Sequence, residues 1–441
     1  MIQFAKENII LFILIHIAIG YLATFSFFPK PFAYLTILVA ISIVFFSNNK
    51  NEEAFILSAY IVGVEVFLRM VKGAPLFETG KYITIVLLFI GLIVGPVKQK
   101  LTISFPVYLL LLMLGIAFTV VPIGESIRKA VAFNLSGPFM LGICAIYFFK
   151  RKISLDQMYS ALLFFLFPVI SMTIYMYFFT PDFDTFSFGG ASLGETSGGF
   201  GPNQVTTVLG FGIFIIALFI FFKWKLTGYF ILDLLMLIFF IYRGLLTFSR
   251  GGLITAVFAF VVFIFFITLY RKDFKNIFKY LTFGVVLFIG IWTYTADVTG
   301  GQIENRYSGR NASGVKKEDA SSGRFKIIFE QLEGFSNAPI FGIGVGNGKY
   351  TRLESGKSVG ASHNEVTRLI EEHGLIGLFA LLMLLIVPIA HFSQINNYQK
   401  AFGVTFFVFW FLTINHSAMR IAFPGFIYAL SLINLDLSNN E

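Results

Sequence analysis

The sequence predicts an all-α, polytopic membrane protein with about 12–14 transmembrane helices and one large external loop that carries short helices. Hydrophobic residues make up 57% of the chain and charged residues only 13%, with a mean hydropathy of +0.81. Soluble domains carry roughly 25% charged residues, so this composition excludes an ordinary soluble protein. The whole chain, 1–441, is predicted to be a single membrane domain with no separate soluble domain.

Apolar runs of about 15–22 residues, the length of one membrane crossing, recur along the chain. No small-residue cleavage site follows the first run, so it is predicted to be a retained helix rather than a signal peptide. Cys144 is the only cysteine, which excludes an intramolecular disulfide. Four runs, the second, fourth, thirteenth and fourteenth, are short, so counts of twelve or thirteen helices stay open. The predicted helices lie at about 8–28, 31–47, 53–70, 82–97, 104–121, 131–149, 158–179, 204–222, 228–246, 251–270, 280–296, 374–391, 402–416 and 423–436.

Basic residues recur in alternate loops, and the positive-inside rule places those loops in the cytoplasm. The remaining basic residues concentrate in the long polar segment 297–374, which is therefore predicted to be external. Long loops escape the orientation rule, so a basic external loop is allowed. Its charges predict an anion-binding face, and the alternative is a solvated loop that binds nothing. The cytoplasmic set includes Lys6, Lys50, Lys98, Lys100, Lys150, Arg151, Lys152, Lys223, Lys225, Arg271, Lys272, Lys275, Lys279 and Lys400.

A short motif in the external loop, Ser362-His363-Asn364-Glu365, combines a helix-start pattern with a titratable ring. Ser362 and Glu365 have the spacing of a capping box, which predicts a helix that begins at His363. An imidazole at the positive end of a helix dipole favours its neutral form and can accept a proton beside a bound phosphate. The alternative is a surface residue next to a helix start.

Further glycine- and arginine-bearing segments are predicted to face the same outer side. Arginine donates two parallel hydrogen bonds to a phosphate, and glycine lets the backbone approach a ligand closely. Taken singly, Arg250 could be an interfacial side chain that snorkels to the headgroups, and the glycine run could be a flexible turn. The segments are Gly201-Pro202-Asn203, Ser249-Arg250-Gly251, Ser322-Gly323-Arg324, Gly342–Gly348 with Asn347, and the pair His416 and Arg420.

The order of these motifs resembles the O-antigen ligase and O-antigen polymerase superfamily of bacterial envelope glycosyltransferases. Ser-Arg-Gly between two helices is followed by Ser-Gly-Arg, by Pro-Ile-Phe-Gly-Ile-Gly-Val-Gly-Asn at 339–347, and by Ser-His-Asn-Glu. The segment Glu-Glu-His-Gly-Leu-Ile-Gly-Leu at 371–378 completes the pattern. The motifs cover roughly 195–390, and their joint order is more specific than any one of them.

The resemblance implies transfer of a glycan from an undecaprenyl-diphosphate carrier to an acceptor sugar, on the outer face of the bacterial inner membrane. Arg250 and Arg324 match the family arginines assigned to the diphosphate, and His363 matches the histidine assigned to the acceptor. Asn203 matches a family Asn-Pro-Asn segment that is Gly-Pro-Asn here, which puts its role in doubt. The further residues predicted to bind substrate are Asn364, Glu365, Asn347, Arg420 and His416.

The implied partners are the undecaprenyl-diphosphate-linked glycan donor, a lipid A–core or second lipid-linked glycan acceptor, the membrane, and other polysaccharide-assembly proteins. No cofactor, metal or nucleic acid is expected. Within the family, a ligase attaches finished glycan to lipid A–core, whereas a polymerase joins lipid-linked repeats. The sequence leaves both open, with the ligase favoured by the His-containing motif.

Two alternatives of other classes stay open. A lipid-linked oligosaccharide flippase or transporter would also be apolar with intramembrane charges such as Glu65 and Arg69, although those two could simply neutralise each other. A metal- and nucleotide-sugar-dependent transferase is suggested by Asp182-Phe183-Asp184. That segment is predicted to lie outside, where nucleotide sugars are scarce.

Overall fold

The computed structural model describes residues 2–96, 102–180, 192, 194–272, 274–317, 319, 321, 323–354, 356 and 362–436. Over these residues the protein is almost entirely helical, with one small sheet of two three-residue strands. The predicted all-α class is therefore confirmed. The chain divides into two compact units, and the boundary segments run through residues 96–97, 153–154, 320–321 and 436–437.

Unit 1 contains eleven of the described helices. They are α1 Ile2–Glu7, α2 Ile9–Leu22, α3 Pro29–Ser47, α4 Glu53–Met70, α5 Thr79–Val94, α8 Leu155–Phe179, α9 Pro202–Phe222, α10 Phe230–Leu246, α11 Gly251–Arg271, α12 Phe274–Val298 and α13 Gln302–Tyr307. A 3₁₀ turn, Glu195–Ser197, precedes α9.

Helix α8 lies at the centre of the first half of unit 1, packed against α2, α4 and α9. Small residues allow this close packing, as is usual between membrane helices. A Cβ at Gly63 would lie 2.5 Å from the Phe165 carbonyl oxygen, and one at Gly20 would lie 2.5 Å from that of Ser171. Larger residues at either position would therefore separate α8 from its neighbours.

Four charged side chains are buried at the junction of α4 and α5, and we call them the α4–α5 network. Arg69 pairs with Glu65 at 2.5 Å and with Glu78 at 3.4 Å, and Lys81 pairs with Glu78 at 2.5 Å. The guanidinium of Arg69 also stacks over the Phe77 ring, 4.2 Å from its centroid. Burial of an unpaired charge is costly, and here two charges of each sign neutralise one another.

Unit 2 contains the other seven described helices. They are α6 Ser104–Leu114, α7 Ile127–Phe148, α14 Arg324–Asn337, α15 Gly348–Glu354, α16 Glu365–Phe392, α17 Asn397–His416 and α18 Phe423–Leu430. Helix α6 continues into the 3₁₀ turn Gly115–Phe118, and the strands are β1 Lys152–Ser154 and β2 Asn434–Asp436. Helix α16 packs against α6, α14, α15 and α17, so it organises this unit.

Seven of the described helices are long and apolar enough to cross a membrane, which confirms a multi-pass membrane protein. They are Pro29–Ser47, Ile127–Phe148, Leu155–Phe179, Pro202–Phe222, Gly251–Arg271, Leu281–Val298 and Glu365–Phe392, with shorter apolar helices at Ile9–Leu22, Thr79–Val94 and Ser104–Phe118. The last predicted run, 423–436, is helical only over Phe423–Leu430 and ends in β2, so it is too short to cross as one helix. The number of crossings and the external position of 297–374 remain predictions.

Candidate active site

A cleft in unit 2 gathers polar side chains from α14, α17 and the segment before α16. Arg324 is the first residue of α14, and it opens onto the cleft beside His363. Two isoleucines of α14 supply an apolar floor, which lowers the local access of water. The residues that line the cleft are Arg324, Ile327, Ile328, Gln331, Ser362, His363, Asn364 and Asn415.

The predicted helix start at His363 is wrong, because α16 begins at Glu365 and its N-cap is Asn364. The Asn364 side-chain oxygen accepts a hydrogen bond from the Thr367 amide at 3.1 Å, and this cap replaces the predicted Ser362–Glu365 capping box. Ser362 instead accepts from the Asn364 amide at 3.2 Å. His363 therefore precedes the cap and projects from the segment that leads into the helix.

His363 is neutral for reasons other than those the sequence suggested. Burial lowers its pKa to about 4, and the nearby positive charges of Arg324 and Arg420 act in the same direction. The ring is therefore unprotonated at neutral pH, as a general base must be. The helix dipole, on which the sequence argument depended, is not needed.

Arg420 holds the His363 segment from the other side. Its guanidinium donates to the Ser362 carbonyl oxygen at 3.0 Å and stacks over the Phe133 ring, 4.1 Å from the centroid. It also donates to the Asn134 side-chain oxygen at 3.5 Å. His416 lies close enough to Arg324 and His363 to interact with both electrostatically, and its Nδ1 is 2.8 Å from the Leu412 carbonyl oxygen. The structure thus brings together four of the predicted residues: Arg324, His363, Arg420 and His416.

Two more predicted residues border the same segment but have structural contacts. The Asn364 side-chain amide donates to the Asn415 side-chain oxygen at 3.0 Å, which joins the start of α16 to α17. Glu365 is 2% exposed, is ion-paired with Arg368 and accepts from the Met419 amide at 3.2 Å. Their roles in substrate binding remain predictions, and the contacts give each a part in shaping the segment.

Five buried charged residues of α15 and α16, which we call the α16 network, lie behind the cleft. Arg368 pairs with Glu365 and, at 2.6 Å, with Glu372. Arg352 pairs with Glu371 at 3.1 Å. The network therefore contains three carboxylates and two guanidinium groups, all at most 5% exposed at the side chain.

The glycine run 342–348 packs against a break in α16. Gly374 has φ 63° and ψ −143°, which interrupts the helical hydrogen bonds around it. The Ile343 and Gly344 amides donate to the carbonyl oxygens of Glu371 and Glu372 at 3.0 and 3.1 Å, which satisfies groups freed by the break. The glycines thus bring the backbone close to α16.

Asn347 closes the glycine run. Its side-chain amide donates to the Ile343 carbonyl oxygen at 2.6 Å, and Asn347 is 7% exposed. It is therefore placed to hold the loop, and its predicted contact with substrate remains a prediction.

Unit 1 positions the other predicted arginine, Arg250, at the start of α11. The Ser249 hydroxyl donates to the Asn203 side-chain oxygen at 2.8 Å and accepts from the Thr206 hydroxyl at 2.9 Å. A Cβ at Gly252 would lie 2.0 Å from the Thr206 carbonyl oxygen, so only glycine allows α11 to approach α9 this closely. Ser249 and Gly252 therefore fix the backbone on either side of Arg250. Asn203 contributes by accepting the hydrogen bond from the Ser249 hydroxyl.

Arg250 lies in a positively charged part of unit 1. Arg306 donates to the Phe248 carbonyl oxygen at 2.9 Å, where Phe248 has a left-handed φ of 57°. Burial raises the pKa of Tyr307 to about 12, while the charges of Arg250 and Arg306 oppose that increase. Both guanidinium groups are thus close to this phenol. The sequence analysis does not single out Arg306, because no motif surrounds it.

Some predicted features lie outside the described residues. They include Asp182-Phe183-Asp184 and Ser322 of the Ser-Gly-Arg motif. Among the residues that the structure does describe, no group of three His, Cys, Asp or Glu side chains is arranged to hold a metal ion.

A family model described as O-antigen ligase matches residues 234–382, a range that includes Arg250, Arg324, His363 and the glycine run. A comparison with curated proteins finds no match. The resemblance that the motifs predicted is confirmed over this range: residues 234–382 are similar in sequence to the O-antigen ligase family.

Proposed function

We propose that the protein is a membrane glycosyltransferase that moves a glycan from an undecaprenyl-diphosphate carrier to the hydroxyl of an acceptor sugar, on the outer face of the bacterial inner membrane. The observation that carries the proposal is the cleft of unit 2, where a neutral histidine lies beside Arg324 and Arg420. A base next to cations is the arrangement that attack on a glycosyl diphosphate requires. The O-antigen ligase domain supports the reaction class.

In the proposed reaction, the acceptor oxygen attacks the anomeric carbon of the carrier-linked sugar. The bond from that carbon to the diphosphate oxygen breaks, and its electron pair leaves with the diphosphate. His363 accepts the hydroxyl proton, a transfer that typically contributes about 10²–10⁴-fold to the rate. A single displacement of this kind inverts the configuration at the anomeric carbon.

Arg324 is proposed to stabilise the negative charge that grows on the departing diphosphate. Its place at the cleft, above the apolar side chains of Ile327 and Ile328, favours this role because partial exclusion of water strengthens the interaction. We assign diphosphate binding to Arg250 as well, on the family resemblance of its Ser-Arg-Gly motif. Arg420 is proposed to orient the His363 segment and to keep the imidazole neutral.

The experiment that tests this proposal compares cells that lack the protein with cells that regain the wild type or a single variant. His363→Ala, Arg324→Ala and Arg250→Ala should each abolish glycan transfer while the protein stays inserted in the membrane. The readouts are a gel of surface glycan, the extracted carrier-linked glycan, and the amount of inserted protein. Ser336→Ala is the matched control, because this exposed hydroxyl of α14 donates, within the part of the chain that the structure describes, only to the Leu332 carbonyl oxygen of its own helix.

The same gel separates the two reactions of the superfamily. In cells with an inactive variant, long glycan chains that accumulate on the carrier and are absent from the final acceptor would identify a ligase. In the same cells, single repeats on the acceptor, with no long chains anywhere, would identify a polymerase. Unchanged transfer by all three variants at matched insertion would overturn the site, and it would return a transporter role to consideration. Glycan transfer should be unaffected by EDTA. Inhibition of transfer by EDTA would instead support a metal-dependent transferase.

A further inference from the structure

Gln331 lies two turns after Arg324 on α14 and is 1% exposed. Glutamine side chains are seldom fully buried, because each donor and acceptor of the amide group must then find a hydrogen-bond partner in the protein. Its side chain reaches the rear of the cleft that holds His363. It belongs to no motif of the sequence.

The side chain of Gln331 links three parts of unit 2. Its Nε2 donates to Glu371 Oε2 at 2.8 Å. Its Oε1 accepts from the Ser362 hydroxyl at 3.2 Å and from the Thr367 hydroxyl at 2.7 Å. An ionised carboxylate can only accept, so Glu371 fixes which end of the amide faces each partner.

The Glu371 end of this bridge is itself firmly held. Arg352 pairs with the Glu371 carboxylate at 3.1 Å, and both side chains are at most 5% exposed. A Cβ at Gly348 would lie 2.7 Å from Glu371 Oε2, so α15 packs directly on the carboxylate. The other end of the bridge is Ser362, the residue before His363, whose carbonyl oxygen also accepts from Arg420.

We propose that Gln331 is a positioning residue that fixes the distance between Arg324 and His363. The arginine starts the helix that carries Gln331, and the histidine follows the serine that Gln331 binds. Because both groups must act on one glycosyl diphosphate, a shift of α14 against the His363 segment separates the cation from the base. This inference rests on the proposed function, and it adds the α16 network to the site as its rear support.

The test exchanges the two ends of one hydrogen bond. Gln331→Glu places a carboxylate against Glu371 and breaks the bridge. The double variant Gln331→Glu/Glu371→Gln restores it in reverse at unchanged net charge. The amide at 371 donates to the carboxylate at 331, which accepts from both hydroxyls, and the amide oxygen at 371 is left to accept from Arg352. Purified protein in lipid vesicles is assayed for kcat, donor KM and thermal unfolding, with Ser336→Ala as control and His363→Ala in parallel.

We expect Gln331→Glu to lower kcat by about 10²-fold, the size of loss that a misplacement near 1 Å can cause, with donor KM unchanged. The double variant should recover most of that loss. Wild-type kcat in Gln331→Glu beside an inactive His363→Ala would overturn this inference alone. A double variant that recovers thermal stability but not kcat would also overturn it.

A fully active His363→Ala would overturn the proposed function and this inference together. Should Gln331→Glu fail to fold, Ser362→Ala removes the hydrogen bond to Gln331 together with the one from the Asn364 backbone amide, without introducing a charge. The same pattern, a lower kcat at unchanged donor KM, is then expected, and a wild-type kcat would count against the bridge.

Discussion

Units 1 and 2 each bury a network of opposite charges, but the two networks support different parts of the molecule. The α4–α5 network joins two helices through two acidic and two basic side chains. The α16 network has three acidic and two basic members, and Gln331 connects it to the residue before His363. A buried charge in a membrane protein is thus a weak indicator of function by itself, and its connection to a cleft is the more informative property.

The largest expected effect comes from removal of one partner at the centre of the α16 network. Arg368→Met leaves Glu365 and Glu372 buried without their shared cation, which typically costs about 3–5 kcal/mol. Thermal unfolding in detergent should show a much lower midpoint and a lower folded yield. An unchanged midpoint would mean that these carboxylates find another partner or reach water.

Removal of both partners should distinguish the two networks by activity. Glu65→Met/Arg69→Met leaves Glu78 paired with Lys81, so we expect folded protein with near wild-type transfer per folded molecule. Arg352→Met/Glu371→Met also removes balanced charges, but it leaves the Gln331 amide without its acceptor. Its transfer per folded molecule should fall clearly. Equal transfer per folded molecule in the two double variants would mean that the α16 network supports activity no more than the α4–α5 network does.

The electrostatics of the cleft predict an unusual pH profile. Since the pKa of His363 is lowered to about 4, the ring stays unprotonated as the pH falls below 6.5, and kcat/KM should decline only at still lower pH. Arg420→Gln removes one of the charges that disfavour protonation, so the acidic limb should move to higher pH. Kinetics from pH 4 to 8 measure the acidic limb of the wild type and that of the variant. A wild-type limb near 6.5 would contradict the cause we assign.

The smallest expected effect is in unit 1, at the hydroxyl beside Arg250. Ser249→Ala removes the hydrogen bonds with Asn203 and Thr206, which should cost on the order of 1 kcal/mol in stability. Transfer should fall modestly, because Arg250 itself remains. Ser308→Ala is the matched control, since its hydroxyl bonds within its own turn. A loss as severe as that of Arg250→Ala would mean that Ser249 itself contacts substrate.

The long helices could be predicted because apolar length is a local property. The predicted runs 204–222 and 251–270 correspond to α9, Pro202–Phe222, and α11, Gly251–Arg271. The helix was predicted to start at His363 but starts at Glu365. Ser362 and Asn364 are both good N-caps, and the pattern alone does not decide between them. The prediction of a crossing at 423–436 failed because the helix ends at Leu430 and the largely polar end of the run, Asn434–Asp436, forms strand β2.

The candidate site was predictable only where residues share a motif. Arg250, Arg324 and His363 could be named from their neighbours in sequence. Gln331 could not, because its partners lie 31, 36 and 40 residues away and no local pattern encodes the contact. The link from Asn203 to Ser249 spans 46 residues and was missed for the same reason.

The break at Gly374 has a consequence for how the chain enters a bilayer during synthesis. The segment 375–392 alone is about 27 Å long as a helix, close to the thickness of the hydrocarbon layer. The insertion machinery can therefore take this apolar part as a complete crossing and leave the charged turns 365–373 at the boundary. A residue other than glycine at 374 would have to fit against the Gly342 nitrogen, 2.6 Å from its Cβ. A helix that continued straight through 374 would join the apolar segment to the turns that carry Glu365, Glu371 and Glu372, and would favour moving these three carboxylates towards lipid. The break at Gly374 thus separates the apolar segment from the charged one.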